Sequence, residues 1–238
     1  MAIIISVDGN IGSGKSTFVA QLKKQLRWIK NKKIIYLQEP VKEWESFVDK
    51  QTNENILQKF YTNPDNWSFS FQMMAYISRV AQLKNIINKH KNDNYVIITE
   101  RSVLTDKNVF AQMLYDSNKI HDIDYQIYTR WFNEFTQDIQ ISGIVYVHTT
   151  PEKCHERIIK RNRKGESIPI EYLKRCHEYH ENWLNSYSKK IIIDNEEDTD
   201  NNINSANINI VKDFISDFIQ NNYNEEISIE NYIESLHC

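Results

Sequence analysis

The sequence predicts an α/β fold, a parallel sheet with helices packed on both of its faces. Three observations carry this. Five short runs are apolar along their whole length rather than alternating, as strands buried on both sides are. Long intervals with helical periodicity separate them, which is how parallel strands are joined. The chain has 238 residues, 40% of them hydrophobic and 12% aromatic, enough for one sizeable core. That composition excludes a disordered chain, a collagen-like repeat and a small disulfide scaffold.

Residues 2–7 (AIIISV) read as the first, fully buried strand, ended by Asp8. A helix is expected over 16–29, with Phe18, Leu22, Leu26 and Ile29 on one stripe. Strands follow at 33–37 and 95–99, with a long amphipathic helix over 67–87 between them. In that helix Gln72, Ala75 and Arg79 share a face. Residues 143–148 form the fourth strand; Pro151 then opens a helix running towards Lys160, since proline suits the first helical turn. Ile168-Pro169 starts a new segment, helical over 171–187, and 190–194 is the fifth strand. The acidic, Asn-rich stretch 194–206 reads as a loop. Val211, Phe214, Ile215 and Phe218 restore helical spacing, and 224–238 is ambiguous. No linker or repeat divides the chain, so a single domain is expected.

A formal net charge of −3 argues against a general nucleic-acid coat and hence against a nucleic-acid polymer as partner. No apolar span is long enough to cross a membrane, and the first apolar run is too short for a signal peptide. A cytoplasmic location is expected. Cys154, Cys176 and Cys238 have no CxxC spacing and read as free thiols in a reducing compartment. Zinc ligation by Cys154-His155 and Cys176-His177 with His180 is set aside, because paired ligand spacings are absent.

Between the first strand and the first helix stands Gly9-Asn10-Ile11-Gly12-Ser13-Gly14-Lys15-Ser16, followed by Thr17. It matches the phosphate-loop pattern GxxxxGK[ST] in the required context. Glycines let backbone amides approach phosphate oxygens, the helix turns its positive end to the anion, Lys15 adds a cation and Ser16 can ligate Mg²⁺. No glycine stands three residues after an aspartate and no NKxD occurs, so a GTPase switch loses its supports. A small phosphotransferase remains.

Further motifs follow in order: Glu39-Pro40-Val41 with Trp44; Trp67-Ser68-Phe69-Ser70-Phe71-Gln72; Glu100-Arg101-Ser102 with Asp106 and Phe110; and Arg157, Arg161 and Arg163 ahead of Ile168-Pro169. This set resembles the deoxyribonucleoside kinases, in particular the deoxycytidine/deoxyguanosine kinase branch, over about residues 2–194. The resemblance implies a P-loop NTPase-type three-layer fold with a five-stranded parallel sheet, a helical lid at about 157–167 and a homodimer. It implies transfer of the ATP γ-phosphoryl group, with Mg²⁺, to the 5′-hydroxyl of a deoxyribonucleoside in nucleotide salvage.

Residue by residue, the resemblance implies Glu39 as the carboxylate beside the 5′-hydroxyl, Arg101 as the arginine on the 5′-oxygen and the moving phosphoryl, and Glu100 as the acid near Mg²⁺. Which carboxylate takes the proton stays open. Trp44, Leu57, Phe71 and Phe110 match pocket walls, with plain core packing as the other reading. Tyr61 and Glu166 match the 3′-hydroxyl pair, and Gln72 the amide that reads the base edge. Arg157, Arg161 and Arg163, with Lys153, Lys160 and Lys164 nearby, read as a lid over ATP phosphates. Ala75, Arg79 and Asp106 occupy the positions that separate the cytosine/purine branch from the thymidine branch, which predicts deoxycytidine and purine deoxynucleosides ahead of thymidine. One departure concerns the donor: the acidic loop is followed by Thr199 where the family often has an aromatic residue. Two rival readings are a nucleoside monophosphate kinase and a non-catalytic nucleotide-binding regulator.

Overall fold

The first apolar run becomes the central strand of the molecule because nothing in it tolerates water: all six residues of β1 (Ile3–Asp8) are buried. The computed structural model describes residues 2–91, 93–163, 166–197 and 205–235, with the side chains of the last helix described as far as 221. Lys164, Thr199 and Cys238 lie outside the described residues.

In chain order β1 is followed by α1 (Lys15–Gln25), β2 (Trp28–Ile29), β3 (Lys32–Leu37), α2 (Val41–Glu45), α3 (Ile56–Thr62) and α4 (Pro64–Lys89). Next come β4 (Tyr95–Glu100), a short α5 (Val103–Thr105), a π-helical turn (Asp106–Ala111), α6 (Gln112–Asp116) and α7 (Asp122–Thr136). The chain continues through β5 (Gly143–His148), α8 (Pro151–Arg161), α9 (Ile170–Asn185), β6 (Lys190–Asp194) and α10 (Ser205–Ser235). The sheet order is β2-β3-β4-β1-β5-β6. Ile4 of β1 stands opposite Ile97 of β4, and Val7 lies between Glu100 and Val145.

The five expected strands are all present and parallel, but the sheet has six strands, not five. The addition is β2, antiparallel to β3 at the edge. Its cause is a two-residue turn in which Lys30 and Asn31 both have positive φ, 41° and 63°. That is the turn whose twist suits a hairpin. The expected helix over 16–29 therefore stops at Gln25, although Leu26 and Ile29 stay buried as its periodicity required.

One face of the sheet is covered by α1 and α10, with Phe18, Leu22, Val211 and Ile215 against Ile5, Val7 and Val145. The other face carries α4, α7 and the end of α9, with Tyr76, Leu83, Tyr128, Phe132 and Leu184 against Ile4, Ile97 and Ile144. The backbone of the ambiguous tail is helical as far as Ser235. Every loop that matters leaves the carboxyl edge of a parallel strand: residues 9–14 after β1, Glu39 after β3, Arg101 after β4, Thr149 after β5 and Asn195 after β6. An open α/β sheet forms its binding crevice at that edge.

Candidate active site

Gly12 and Gly14 hold the phosphate loop in shape, with φ of 81° and 90°. A Cβ on Gly12 would stand 2.5 Å from the carbonyl oxygen of Cys154, so the turn needs glycine twice over, for its φ and for its space. Gly14 is the N-cap of α1; it offers no side-chain acceptor, and no acid occupies the first turn. The leading amides of α1 are thus left to an anion. Ser16 and Thr17 are exposed and line the cleft. Lys15 folds back, its Nζ donating to the Asn10 carbonyl oxygen at 2.5 Å, and is 4% exposed. Burial, helped by Arg101, lowers its ammonium to about 7 against the opposing pull of Glu100 and Glu39.

Across the cleft stands Glu39, released from β3 by Pro40. Arg101 Nη1 donates to both of its oxygens, at 2.8 and 3.0 Å, and Arg79 Nη2 donates to Oε1 at 3.0 Å. Burial alone would raise this carboxyl; Arg101, Arg79 and Lys15 overcome that and hold it down to about 2. Arg101 adopts φ of 60°, an uncommon conformation for a residue with a side chain. Its amide still bonds the Val7 carbonyl, so the turn is fixed against β1. Glu100 takes the Ser16 hydroxyl as a donor at 2.5 Å, which joins the end of β4 to the start of α1.

Arg79 lies behind the cleft rather than in it, 1% exposed on α4. Its Nε donates to Asp106 Oδ2 at 2.9 Å and its Nη1 to the Glu100 carbonyl oxygen at 2.9 Å. With Glu39 this commits its guanidinium to three partners from three elements, and Asp106 and Glu39 keep it firmly charged despite burial. In this arrangement Arg79 holds Asp106 and Glu39 in place at the back of the cleft. Asp106 lines the cavity, and so does Phe110 one π-helical turn later. Phe110 also supports Arg101, whose guanidinium carbon is 5.1 Å from the ring centre.

One cavity of about 1080 Å³ joins these parts, lined among others by Lys15, Glu39, Gln72, Arg101, Arg157 and Glu166. Trp44, Leu57, Tyr61 and Phe71 line it as well. Trp44 is fixed by its indole N–H on Ser78 Oγ at 2.8 Å and by an edge contact with Phe71 at 5.7 Å. Gln72 Oε1 and Arg101 Nε are buried with no partner among the described residues. Such orphans in a cavity wall mark where a ligand's polar atoms belong. At the end of α8, Arg161 forks onto Glu166 with contacts of 2.6 and 2.7 Å. Arg157 Nη2 donates to the Asn195 carbonyl oxygen at 2.9 Å, and Arg163 also lines the cavity.

Gly9, Asn10 and Ser13 stand behind the loop and shape it. Asn10 Nδ2 donates to the Leu173 carbonyl oxygen at 2.9 Å, and Ser13 carries the Lys15 Nζ at 3.4 Å. Ile11 and Gly12 reach the cavity. Two supporting residues escaped the sequence reading. Asp8, noted only as the end of a strand, accepts from Thr105 Oγ1 and from Ser6 Oγ and ties β1 to α5; burial raises its carboxyl. An acid closing an otherwise apolar strand was its signal. Asn195 donates to the Ser13 carbonyl oxygen at 2.7 Å, clasping the phosphate loop from β6; nothing local announces that.

A phosphate loop facing an arginine-bound carboxylate across one cleft, at the carboxyl edge of a parallel sheet, defines a P-loop phosphotransferase. Within that class the chain belongs to the deoxynucleoside kinase family, whose model matches residues 5–220. Among its relatives, deoxycytidine kinase 2 of Gallus gallus is 37% identical over 238 residues, covering 92% of this chain and 86% of the relative. Deoxycytidine kinase of Homo sapiens is 38% identical over 199 residues, covering 76% and 74%. The mitochondrial deoxyguanosine kinase of Xenopus laevis is 32% identical over 227 residues, covering 88% and 82%. Among the described residues no helix is long and apolar enough to cross a membrane.

Proposed function

We propose that this cleft transfers the γ-phosphoryl group of ATP to the 5′-hydroxyl of a deoxyribonucleoside, accepting deoxycytidine and purine deoxynucleosides ahead of thymidine. The observation that carries this reading is Glu39, held ionised by Arg101 and Arg79 and sharing one cavity with Lys15 of the phosphate loop. Catalysis of this transfer is chiefly positioning and charge neutralisation, because the transition state is loose. Glu39 aligns the 5′-hydroxyl and accepts its proton late, which suits a carboxylate of low basicity. Arg101 meets the 5′-oxygen and the moving phosphoryl with its unpartnered Nε. Lys15 and the amides of residues 12–16 cradle the β- and γ-phosphates, and Arg157, Arg161 and Arg163 close over them from the lid.

Ser16 and Glu100 present a hydroxyl and a carboxylate side by side, the hard-oxygen pair that Mg²⁺ takes. Bound there, Mg²⁺ would neutralise charge on the phosphates. Trp44, Leu57, Phe71 and Phe110 enclose the base, Tyr61 with Glu166 hold the 3′-hydroxyl, and Asp106 with Gln72 Oε1 accept from an exocyclic amino group. Thymine brings a carbonyl to that position, and an unpaired buried polar group costs about 1–3 kcal/mol.

The same reading makes the whole chain one kinase domain with a lid at about 157–167, and makes it a homodimer. A dimer is supported by Ile123, Ile127, Trp131 and Phe135, exposed at four-residue steps along α7, and by exposed Ile77 on neighbouring α4. Sedimentation of the free protein measures it. A cytoplasmic location is supported by two buried free thiols, Cys154 and Cys176. The decisive experiment follows radiolabel from ATP onto a panel of four deoxynucleosides and their monophosphates. Label should pass to deoxycytidine, deoxyadenosine or deoxyguanosine. Transfer only to monophosphates, or none at all, would favour the rival kinase or regulator. Glu39→Gln should lower kcat by about 10²–10⁴-fold, the usual contribution of a positioned base. A mild effect there beside a dead Glu100→Gln would move the base to Glu100.

A further inference from the structure

We propose that His148, His177 and Glu181 form a second, separate site, for a divalent transition metal of the zinc class. One ligand atom from each lies within 4.8 Å of the other two. His177 and Glu181 are four residues apart on α9 and so share a helical face, and His148 closes β5 opposite them. The two imidazole rings are 5.5 Å apart, and His148 Nε2 lies 3.9 Å from Glu181 Oε1. Small side-chain rotations bring such a trio to the spacing of ligands on one ion.

Three features beyond proximity point to an ion. His177 Nδ1 is buried without a partner among the described residues, a ring nitrogen with its bonding capacity unspent. Glu181 accepts from the Tyr146 hydroxyl at 2.7 Å, the kind of outer hydrogen bond that aims a metal-binding carboxylate. No lysine or arginine among the described residues pairs with Glu181, so its charge is left for a cation. The residues are half-buried, which leaves a path from solvent.

Two imidazoles and one carboxylate with a fourth position open are a zinc-type donor set. Imidazole favours zinc, cobalt, nickel and copper over magnesium. The site therefore does not compete with the oxygen pair of Ser16 and Glu100. An ion here would clip α9 to the end of β5, from which Thr149 reaches the Ser13 carbonyl oxygen and Thr150 caps α8.

The test uses the full chain, stripped of metal by chelation. Titration with Zn²⁺ should show one saturable site per chain that excess Mg²⁺ does not displace. At about a hundred times Kd, the melting temperature should rise by roughly 5–10 °C. His177→Ala and Glu181→Gln should each abolish the site with the metal-free fold and Mg²⁺-dependent turnover unchanged, and Tyr146→Phe should weaken it about tenfold. Co²⁺ should give visible bands without thiolate-to-cobalt absorption. Failure of Zn²⁺ to saturate, retention of binding in both ligand variants, or a thiolate spectrum would each overturn the assignment.

Discussion

Burial, with Arg101 nearby, brings the Lys15 ammonium from 10.5 to about 7 although Glu100 and Glu39 pull the other way. At pH 8 much of the free enzyme should therefore carry a neutral Lys15. A bound triphosphate favours the ammonium and raises its pKa again, so nucleotide binding at pH 8 must take up a proton. By the same linkage affinity falls as pH rises above 7, by as much as about tenfold per unit. Calorimetry at pH 8 in two buffers of different ionisation enthalpy measures the uptake, and equal heats would refute it. Lys15→Ala should lose both the uptake and turnover while remaining folded. Arg79 and Asp106 set a second expectation. Because Arg79 Nε and Nη2 both bond Asp106, the arginine fixes the carboxylate that we propose meets the base. Arg79→Met with Asp106→Ala should raise thymidine use relative to deoxycytidine, read as a ratio of kcat/KM. A wild type that prefers thymidine would break the argument while sparing the kinase.

Elements differ in how openly the sequence declares them, and the difference is physical. A strand buried on both faces must be apolar throughout, so β1, β4 and β5 could be read to within a residue or so. The end of α1 could not, because Leu26 and Ile29 reach the core equally well from a helix or from a hairpin. The motif residues were legible at the strand ends, yet the partners of Arg79 were only half so. Its face of α4 and its pairing with Asp106 were readable, whereas its bond to Glu39, 40 residues upstream, was not. The π-helical turn after α5 has no periodicity of its own, and it places Asp106 and Phe110 in the cleft. The basic stripe of Arg157, Arg161 and Arg163 was visible in the sequence, but the fork of Arg161 on Glu166 needs the chain to turn at Asn162, where φ is 45°. Arg161→Ala with Arg163→Ala should lower kcat with ATP by about 10²-fold or more, the range for removing a charge-stabilising donor. Nucleoside KM should move much less. An unchanged rate would return these arginines to the solvated surface.

For the molecule as a whole, buried titratable groups set its response to acid. His180 is fully buried; its Nδ1 bonds the Cys176 carbonyl oxygen at 2.7 Å and its Nε2 has no partner among the described residues. Burial lowers it from 6.5 to about 3, although the bond to Cys176 opposes the shift. The unfolded chain therefore binds this proton at a higher pH than the folded one. The stability tied to a neutral His180 is complete above pH 6.5 and is lost as pH falls towards 3. Glu39 works in the same direction over a lower window. Its folded value of about 2 lies below the ordinary 4.5, so the stability of its ion pairs is complete above 4.5 and lost on the way to 2. Each proton taken up on unfolding costs about 1.4 kcal/mol per pH unit. A domain holds only about 5–15 kcal/mol in all. Below the range above pH 7 in which Lys15 titrates, the melting temperature should thus begin to fall just under pH 6.5 as His180 takes up its proton, and the loss through Glu39 follows below 4.5, opposed there by the raised carboxyls of Asp8 and Asp106. His180→Met removes the first titration and keeps an apolar side chain of similar reach. Its melting curve should stay level down to about pH 5, where the wild type is already falling. If the two proteins lose stability in parallel between pH 6.5 and 5, His180 is not the group that takes up the proton.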